Sequence, residues 1–301
     1  MEFFDLKNIF RKIGVEFLEN EPLTKHSTFR IGGIATLMVF PCNVNQFIDV
    51  IKEVIKTDKK YIVIGNGSNI LFDDGGYDGV IISTQNMRKI QINGSVLEAE
   101  CGASFTFMSS EAAKKGLSGL EFAYGIPGSC GGAVFMNAGA YGSETSEVIY
   151  QATCFDVLKN DIITLEAGEM AMSYRHSLFM ENPNLIILSA AFRLNQGDKD
   201  SIVALMNQNM TQRRQKQPLE YPNAGSIFKR HEKYFIGKII EDCGLKGYSV
   251  GGAQISEKHA GFIVNRGGAT SADVLDLISY IKTIILKKYG FELNCEIRYI
   301  K

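Results

Sequence analysis

Residues 125–142 read GIPGSCGGAVFMNAGAYG, a stretch of eighteen positions with six glycines, three alanines and no charge. Glycine loses more conformational freedom on folding than any other residue. A run this dense therefore suits a place where the chain needs φ > 0, or where another group must come close to its peptide bonds. Pro127 fixes one φ between glycines, and Ser129, Gly131 and Gly132 expose amides with little side chain in the way. Asn137 sits among small residues that would let a flat ring lie on the backbone. A second bare stretch, Gly65-Asn66-Gly67-Ser68-Asn69, follows the apolar run YIVI. Successive main-chain N–H groups in such a turn converge into an anion-binding concavity, and a diphosphate would fit it. The Rossmann pattern fails here, because its last glycine is replaced by Ile70 and the chain goes on as FDDGGYDG, a turn and not a helix. Two phosphate-type loops, one of them continuing into a platform for a planar group, point to a dinucleotide. Tight packing of a buried crossover is the competing explanation.

The 301 residues, 45% of them hydrophobic, suffice for two or three lobes with proper cores. A formal net charge of -1 gives no electrostatic case for nucleic acid or an anionic membrane, so the expected partner is a small molecule, with no obligatory protein partner evident. The six cysteines lie far apart without a C-x-x-C pair and the four histidines are scattered, so neither a metal site nor a disulfide framework is expected. Reduced, mostly buried thiols in a cytoplasmic protein are the expectation. The amino terminus, MEFFDLKNIFRKIG, has helical spacing but no signal-peptide core, and no segment approaches the ~18 apolar residues of a membrane helix.

Periodicity predicts a helix from Asn43 to about Lys56 with Phe47, Val50, Ile51, Val54 and Ile55 inward, and another over 104–115. Strands are predicted at 31–40, 61–65, 79–83, 88–92, 96–102, 149–157, 162–166 and 185–194, with a short helix near Gly168. The polar stretch NQGDKD (195–200) is the expected boundary before a long helix to about Gln215. Helices at 234–243 and 271–289 follow, the second opened by Thr270-x-x-Asp273 and closed by Gly290, then a final strand FELNCEIRYI.

KHSTFRIGG (25–33), GNGSNIL (65–71), the long glycine-rich stretch, YRHS (174–177), AGSIFK (224–229), GLKG (244–247) and KHAGFIVN (258–265) occur in this order. Together they resemble the bacterial UDP-N-acetylenolpyruvoylglucosamine reductases, flavoenzymes of peptidoglycan precursor synthesis, over nearly the whole chain. The resemblance implies an α+β fold: a two-subdomain FAD-binding unit of the vanillyl-alcohol-oxidase type (1–83 and 84–197) and a C-terminal α+β substrate domain (198–301). It implies bound FAD, NADPH as hydride donor and UDP-N-acetylglucosamine enolpyruvate as substrate. NADPH and the sugar would use the flavin in turn. It also implies cofactor contacts from Gly65, Asn66, Gly67, Ser68 and Asn69, and from Gly125, Ile126, Pro127, Gly128, Ser129, Gly132, Ala133, Asn137 and Gly139.

Three catalytic residues come with the resemblance. Arg175 matches an arginine whose planar fork can bind a carboxylate and stabilise an enolate as it forms. Ser226 matches a proton donor; a hydroxyl serves as the acid because an enolate or carbanion is strongly basic. Glu296 matches a glutamate that orients the protonating group or holds a water. Lys229, Arg230 and Arg214 are the candidate substrate-binding cations. The chain departs from the family pattern at Asn66, where glycine is usual, and at Cys130, where a small apolar residue is common. In FKRHE (228–232) the family runs Phe-Lys-Asn-Pro, so Arg230 replaces an asparagine expected at the substrate diphosphate. The interval between Arg175 and Ser226 matches the shorter variety of the family, without a substrate-covering tyrosine loop. An oxidase or dehydrogenase of the same flavin fold, and a non-turning-over nucleotide-sugar or flavin binding module, stand as alternatives.

Overall fold

The structure, a computed structural model, describes residues 3–301. Its contacts divide the chain into two compact units, each discontinuous in sequence. Unit one takes the residues up to Leu18, Met38–Asn66 and Val80–Gln212; unit two takes Glu19–Leu37, Gly67–Gly79 and Arg213–Lys301.

In unit one, five antiparallel strands form a sheet in the order Asp161–Glu166, Ile149–Asp156, Leu185–Arg193, Val96–Glu100, Ile90–Asn93. The central strand Leu185–Arg193 is almost wholly buried. It pairs Ala190 with both Ala152 and Ala99, small residues that let covering helices come close. Helix Phe105–Lys114 starts where Ser104 Oγ accepts from Phe107 N–H, and Phe105 packs edge-on against Phe122 with ring centroids 5.8 Å apart. Strand Tyr61–Ile64 pairs in parallel with Val80–Ser83. Helix Val44–Ile55 is capped by Asn43, whose side chain accepts from Gln46 N–H. Its inward face is Phe47, Ile48, Val50, Ile51 and Val54, while Ile55, the last residue, is exposed at the helix end.

The stretch 195–200 is no linker. Asn195–Gln196 pairs with Leu117–Ser118, Gly197 N–H donates to Gly116, and helix Lys199–Lys216 begins directly after. Ile202 and Met206 of that helix pack with Ala113 and Tyr124, and Asn209 Nδ2 donates to the Glu121 carbonyl, so most of the helix belongs to unit one. By contact, the expected division after residue 197 falls instead after 212.

In unit two, strands Asn223–Ser226, Phe262–Asn265, Ala253–Ile255 and Ser249–Val250 form an antiparallel sheet in that order. Helix Ser271–Tyr289 contributes Val274, Leu277, Ile278, Ile281 and Ile285 to the core. Phe29, Ile31 and Leu71 are buried in the same core, which is why two short early segments fold with the carboxy-terminal part. The final strand is shorter than its sequence suggests. Only Arg298–Ile300 pairs, in parallel with Ile70–Phe72, while Cys295 makes a single bridge to Phe228. A strand persists only where a partner supplies its hydrogen bonds, and Ile70–Phe72 is three residues long.

The Thr270/Asp273 box forms in both directions, and Gly290 ends the helix at φ 76°. The N–H of Thr270, with that of Gly252, holds the Asp273 carboxyl below its ordinary 3.8. Such a group stabilises the fold above its unfolded-state pKa and loses that contribution as pH falls through the folded-state value. Asp273→Ala is therefore expected to cost about 1 kcal/mol at neutral pH. In urea titrations the gap from the parent should close as pH drops below about 4.

Of the cysteines, Cys101, Cys130 and Cys154 are buried, Cys42 is exposed, and Cys243 and Cys295 are intermediate. Burial pushes the Cys101 and Cys154 thiols up to about 12 and raises Cys130 as well, so these three are unreactive packing groups.

Candidate active site

Within unit one the two glycine loops lie side by side. A Cβ on Gly65 would stand 2.1 Å from Ser129 Oγ, and Asn66 Nδ2 donates to the Pro127 carbonyl at 3.1 Å. Gly65 is therefore glycine because the second loop crosses it. The N–H groups of Gly65, Asn66, Gly128 and Ser129 meet no acceptor among the described residues. A set of unspent main-chain donors on two touching loops fits the diphosphate of a dinucleotide.

The bare run itself is not all loop. Cys130–Met136 is a seven-residue helix, capped by Ser129 Oγ accepting from Gly132 N–H and closed by Asn137 at φ 42°. Two of the amides read as exposed are thus spent, since Gly131 N–H donates to the Cys101 carbonyl and Gly132 N–H to the cap. A Cβ on Gly131 would come 2.9 Å from Cys101 Cβ, so packing requires that glycine. Ala133 is buried and its N–H closes the first helical turn onto Ser129. Gly125 N–H goes to Thr106 Oγ1, and Ile126 N–H to Ala123.

Asn137 is fully buried. Its Nδ2 donates to Glu144 Oε1 (2.8 Å) and the Ser173 carbonyl (2.9 Å), and its Oδ1 accepts from Ser146 N–H (2.9 Å). The left-handed backbone at this position explains the asparagine, which tolerates φ > 0 better than most side chains.

Arg175 is the second residue of a two-residue turn closed by reciprocal bonds between Ser173 and His176. Its φ is 52°, a conformation that suits glycine and strains an arginine. Nη1 donates to the Asn137 carbonyl at 3.2 Å and Nη2 to that of Gly139 at 2.9 Å, which fixes the guanidinium against the end of the glycine-rich stretch.

Ser226 and Glu296 are brought together within unit two. Glu296 N–H donates to the Ile227 carbonyl at 2.8 Å, one residue past Ser226, and Lys229 N–H donates to Asn294. Ser226 ends a strand that carries an irregularity against Phe262–Asn265 between Asn223 and Ser226. Asn223 shapes that bend, because its Oδ1 accepts from Gly225 N–H and its Nδ2 donates to the Pro218 and Tyr221 carbonyls. Gly225 has φ 77° with open space around it, so backbone conformation and not crowding keeps it glycine. Both Ser226 and Glu296 are half-buried.

Arg214 and Arg230 are exposed and Lys229 is half-buried, all three in unit two. At the position where the resemblance expects proline, His231 stacks on Phe291 at 4.1 Å and accepts from Lys233 N–H through Nδ1. The loop is thus held by ring stacking. Sequence reading missed Thr28 and Asn223 as parts of this arrangement, although an asparagine just ahead of Ala-Gly-Ser is a recognisable turn signal. Among the described residues no group of three or more His, Cys, Asp or Glu is arranged to hold a metal ion, and no helix is long and apolar enough to cross a membrane.

A model of an FAD binding domain matches residues 35–170, and one of the C-terminal domain of UDP-N-acetylenolpyruvoylglucosamine reductase matches 217–300. The UDP-N-acetylenolpyruvoylglucosamine reductase of Caldicellulosiruptor saccharolyticus is 46% identical over 293 residues, covering 96% of this chain and 93% of its own. That of Pediococcus pentosaceus is 46% identical over 288 residues, covering 95% of each. The crystal structure of the corresponding reductase from Thermus caldophilus superposes with a TM-score of 0.81 at 30% identity, over 95% of this chain and 99% of that one. With relatives of this identity along nearly its full length, the chain belongs to the UDP-N-acetylenolpyruvoylglucosamine reductase family.

Proposed function

We propose that this protein is a cytoplasmic, FAD-dependent reductase that uses NADPH to convert UDP-N-acetylglucosamine enolpyruvate to UDP-N-acetylmuramate. The observation that carries the reading is the hydrogen bond from Glu296 N–H to Ile227, which sets Ser226 and Glu296 next to one another. The chemistry FAD supplies when bound is hydride relay from NADPH to the outer carbon of the enolpyruvyl ether. The unspent amides of Gly65, Asn66, Gly128 and Ser129 would hold its diphosphate. Asn137 would meet the cofactor through its backbone, its buried side chain being bonded to Glu144, Ser173 and Ser146.

The substrate's inner carbon and carboxylate gain negative charge as the outer carbon is reduced. Arg175 binds that carboxylate and stabilises the enolate, with a guanidinium already oriented by two carbonyls. Ser226 Oγ gives its proton to the inner carbon, and Glu296 orients the donor or a water that reprotonates it. Lys229, Arg230 and Arg214 act on the substrate phosphates. Arg230→Asn, which restores the residue the family pattern has, should weaken UDP-sugar binding about three- to fivefold, as expected for one exposed ion pair. It should also flatten the salt dependence; equal affinities at low and high salt in both proteins would remove Arg230 from the phosphate site.

The direct test is an anaerobic visible spectrum of the purified protein. Addition of NADPH should bleach the flavin band and addition of the enolpyruvyl UDP-sugar should restore it. A colourless protein that takes up no FAD would defeat the reading, and a band bleached by NADPH that the sugar leaves bleached would redirect it to another substrate.

A further inference from the structure

Both flanks of Ser226 are hydrogen-bonded, within unit two, to the segment Gly67–Asn69. On one side the Gly67 carbonyl accepts from Thr28 N–H at 3.3 Å, and Thr28 Oγ1 donates to the Asn223 carbonyl at 2.7 Å. Asn223 N–H returns a bond to the Thr28 carbonyl at 3.2 Å, and Asn223 Oδ1 holds the N–H of Gly225, the residue before Ser226. On the other side Asn69 Nδ2 donates to the Glu296 carbonyl at 3.0 Å, and Glu296 N–H holds Ile227, the residue after Ser226. Arg298 N–H donates to the Asn69 carbonyl at 3.0 Å, which locks the register of this second path. Gly67 is pressed into place as well, since a Cβ there would sit 2.2 Å from the His26 carbonyl.

We propose that Thr28 and Asn69 are positioning residues for the proton donor, which through the neighbours of Ser226 set where its Oγ stands. The inference rests on the assignment of Ser226 as the donor. Its physical basis is that a hydroxyl of ordinary acidity is useful as an acid only when held in line with the carbon it protonates. Ser226 follows a glycine in open space at φ 77°, and its own strand pairing is irregular. The two side-chain bonds, from Thr28 Oγ1 and Asn69 Nδ2, add to the pairing of Ser226 with Phe262 on the residues either side of the irregularity.

The test uses the flavin-loaded enzyme and measures the two half-reactions separately by stopped-flow absorbance, in water and in deuterium oxide. Thr28→Val keeps shape and removes the hydroxyl, Thr28→Ser keeps the hydroxyl, and Asn69→Asp keeps shape and removes the donor. Thr28→Val and Asn69→Asp should each slow reduction of the UDP-sugar about tenfold, the effect of one lost hydrogen bond. In Thr28→Val the NADPH half-reaction should stay within about twofold, and the solvent isotope effect on the sugar half-reaction should rise as proton transfer becomes slower. Thr28→Ser should restore the parent rates. If Ser226→Ala separates the half-reactions while Thr28→Val slows both alike, or neither, the positioning role is wrong and the donor assignment stands. If Ser226→Ala slows both half-reactions alike, the donor assignment fails and the positioning role goes with it.

Discussion

Ser226→Ala is expected to lower the rate of enolpyruvyl UDP-sugar reduction by about 10²-fold or more, the range for loss of a general acid, while NADPH bleaches the flavin at nearly the parental rate. The substitution removes one oxygen from a half-buried position whose neighbours are held by other groups, Gly225 N–H by Asn223 Oδ1 and the Ile227 carbonyl by Glu296 N–H. The fold should therefore tolerate it, and the thermal midpoint is expected to move little. Stopped-flow traces of the two half-reactions decide the matter: equal loss in both would take Ser226 out of proton donation. Glu296 is approached the same way, with Glu296→Gln expected to slow only the sugar half-reaction.

Arg175 offers a sharper contrast, because its backbone and its side chain make opposite demands. Arg175→Ala and Arg175→Gly both remove the guanidinium and should both slow sugar reduction about 10²- to 10³-fold, the cost of losing one group that stabilises developing negative charge. They should differ in stability. Alanine keeps the strained φ of 52°, whereas glycine adopts it freely, so Arg175→Gly should be the more stable of the two by about 1 kcal/mol in urea unfolding. Equal activity loss with unequal stability would mean that an arginine is kept, against its backbone preference, for its charge. Substantial activity in either variant would refute the role. Arg175→Lys should rescue poorly, since an ammonium cannot span the Asn137 and Gly139 carbonyls and a carboxylate as a planar fork does.

The local signals in the sequence translated directly into structure wherever neighbours along the chain make the bonds. Asn43 caps its helix, Ser104 caps another, the Thr270/Asp273 box closes in both directions, and Gly290 ends the last helix in the left-handed conformation. The alternation and length of 149–157, 162–166 and 185–194 likewise identified three neighbouring strands of one sheet. The motif matches placed Ser226 and Glu296 in a common role although seventy residues separate them, and the Glu296–Ile227 bond joins the two.

Composition could not say which neighbour required each glycine. Gly131 is bare because Cys101 crosses it and Gly65 because Ser129 does, and the same run hides a helix that its glycines argue against. The small neighbours of Asn137 give no hint that it is buried, its side chain spent on Glu144, Ser146 and Ser173. The polar stretch 195–200 marks a boundary in the sequence, yet its first two residues, Asn195–Gln196, pair with Leu117–Ser118. By itself the sequence determined the local elements and the family, and it proposes Arg175, Ser226 and Glu296 as the reacting side chains, because helix caps, periodicity and motif residues act over a few positions. Only the tertiary structure decided which segments share a core and which bonds fix Ser226. Phe29, Leu71 and Ile281 meet through burial, and Thr28 reaches Asn223 across the fold, contacts between distant positions that no local pattern encodes.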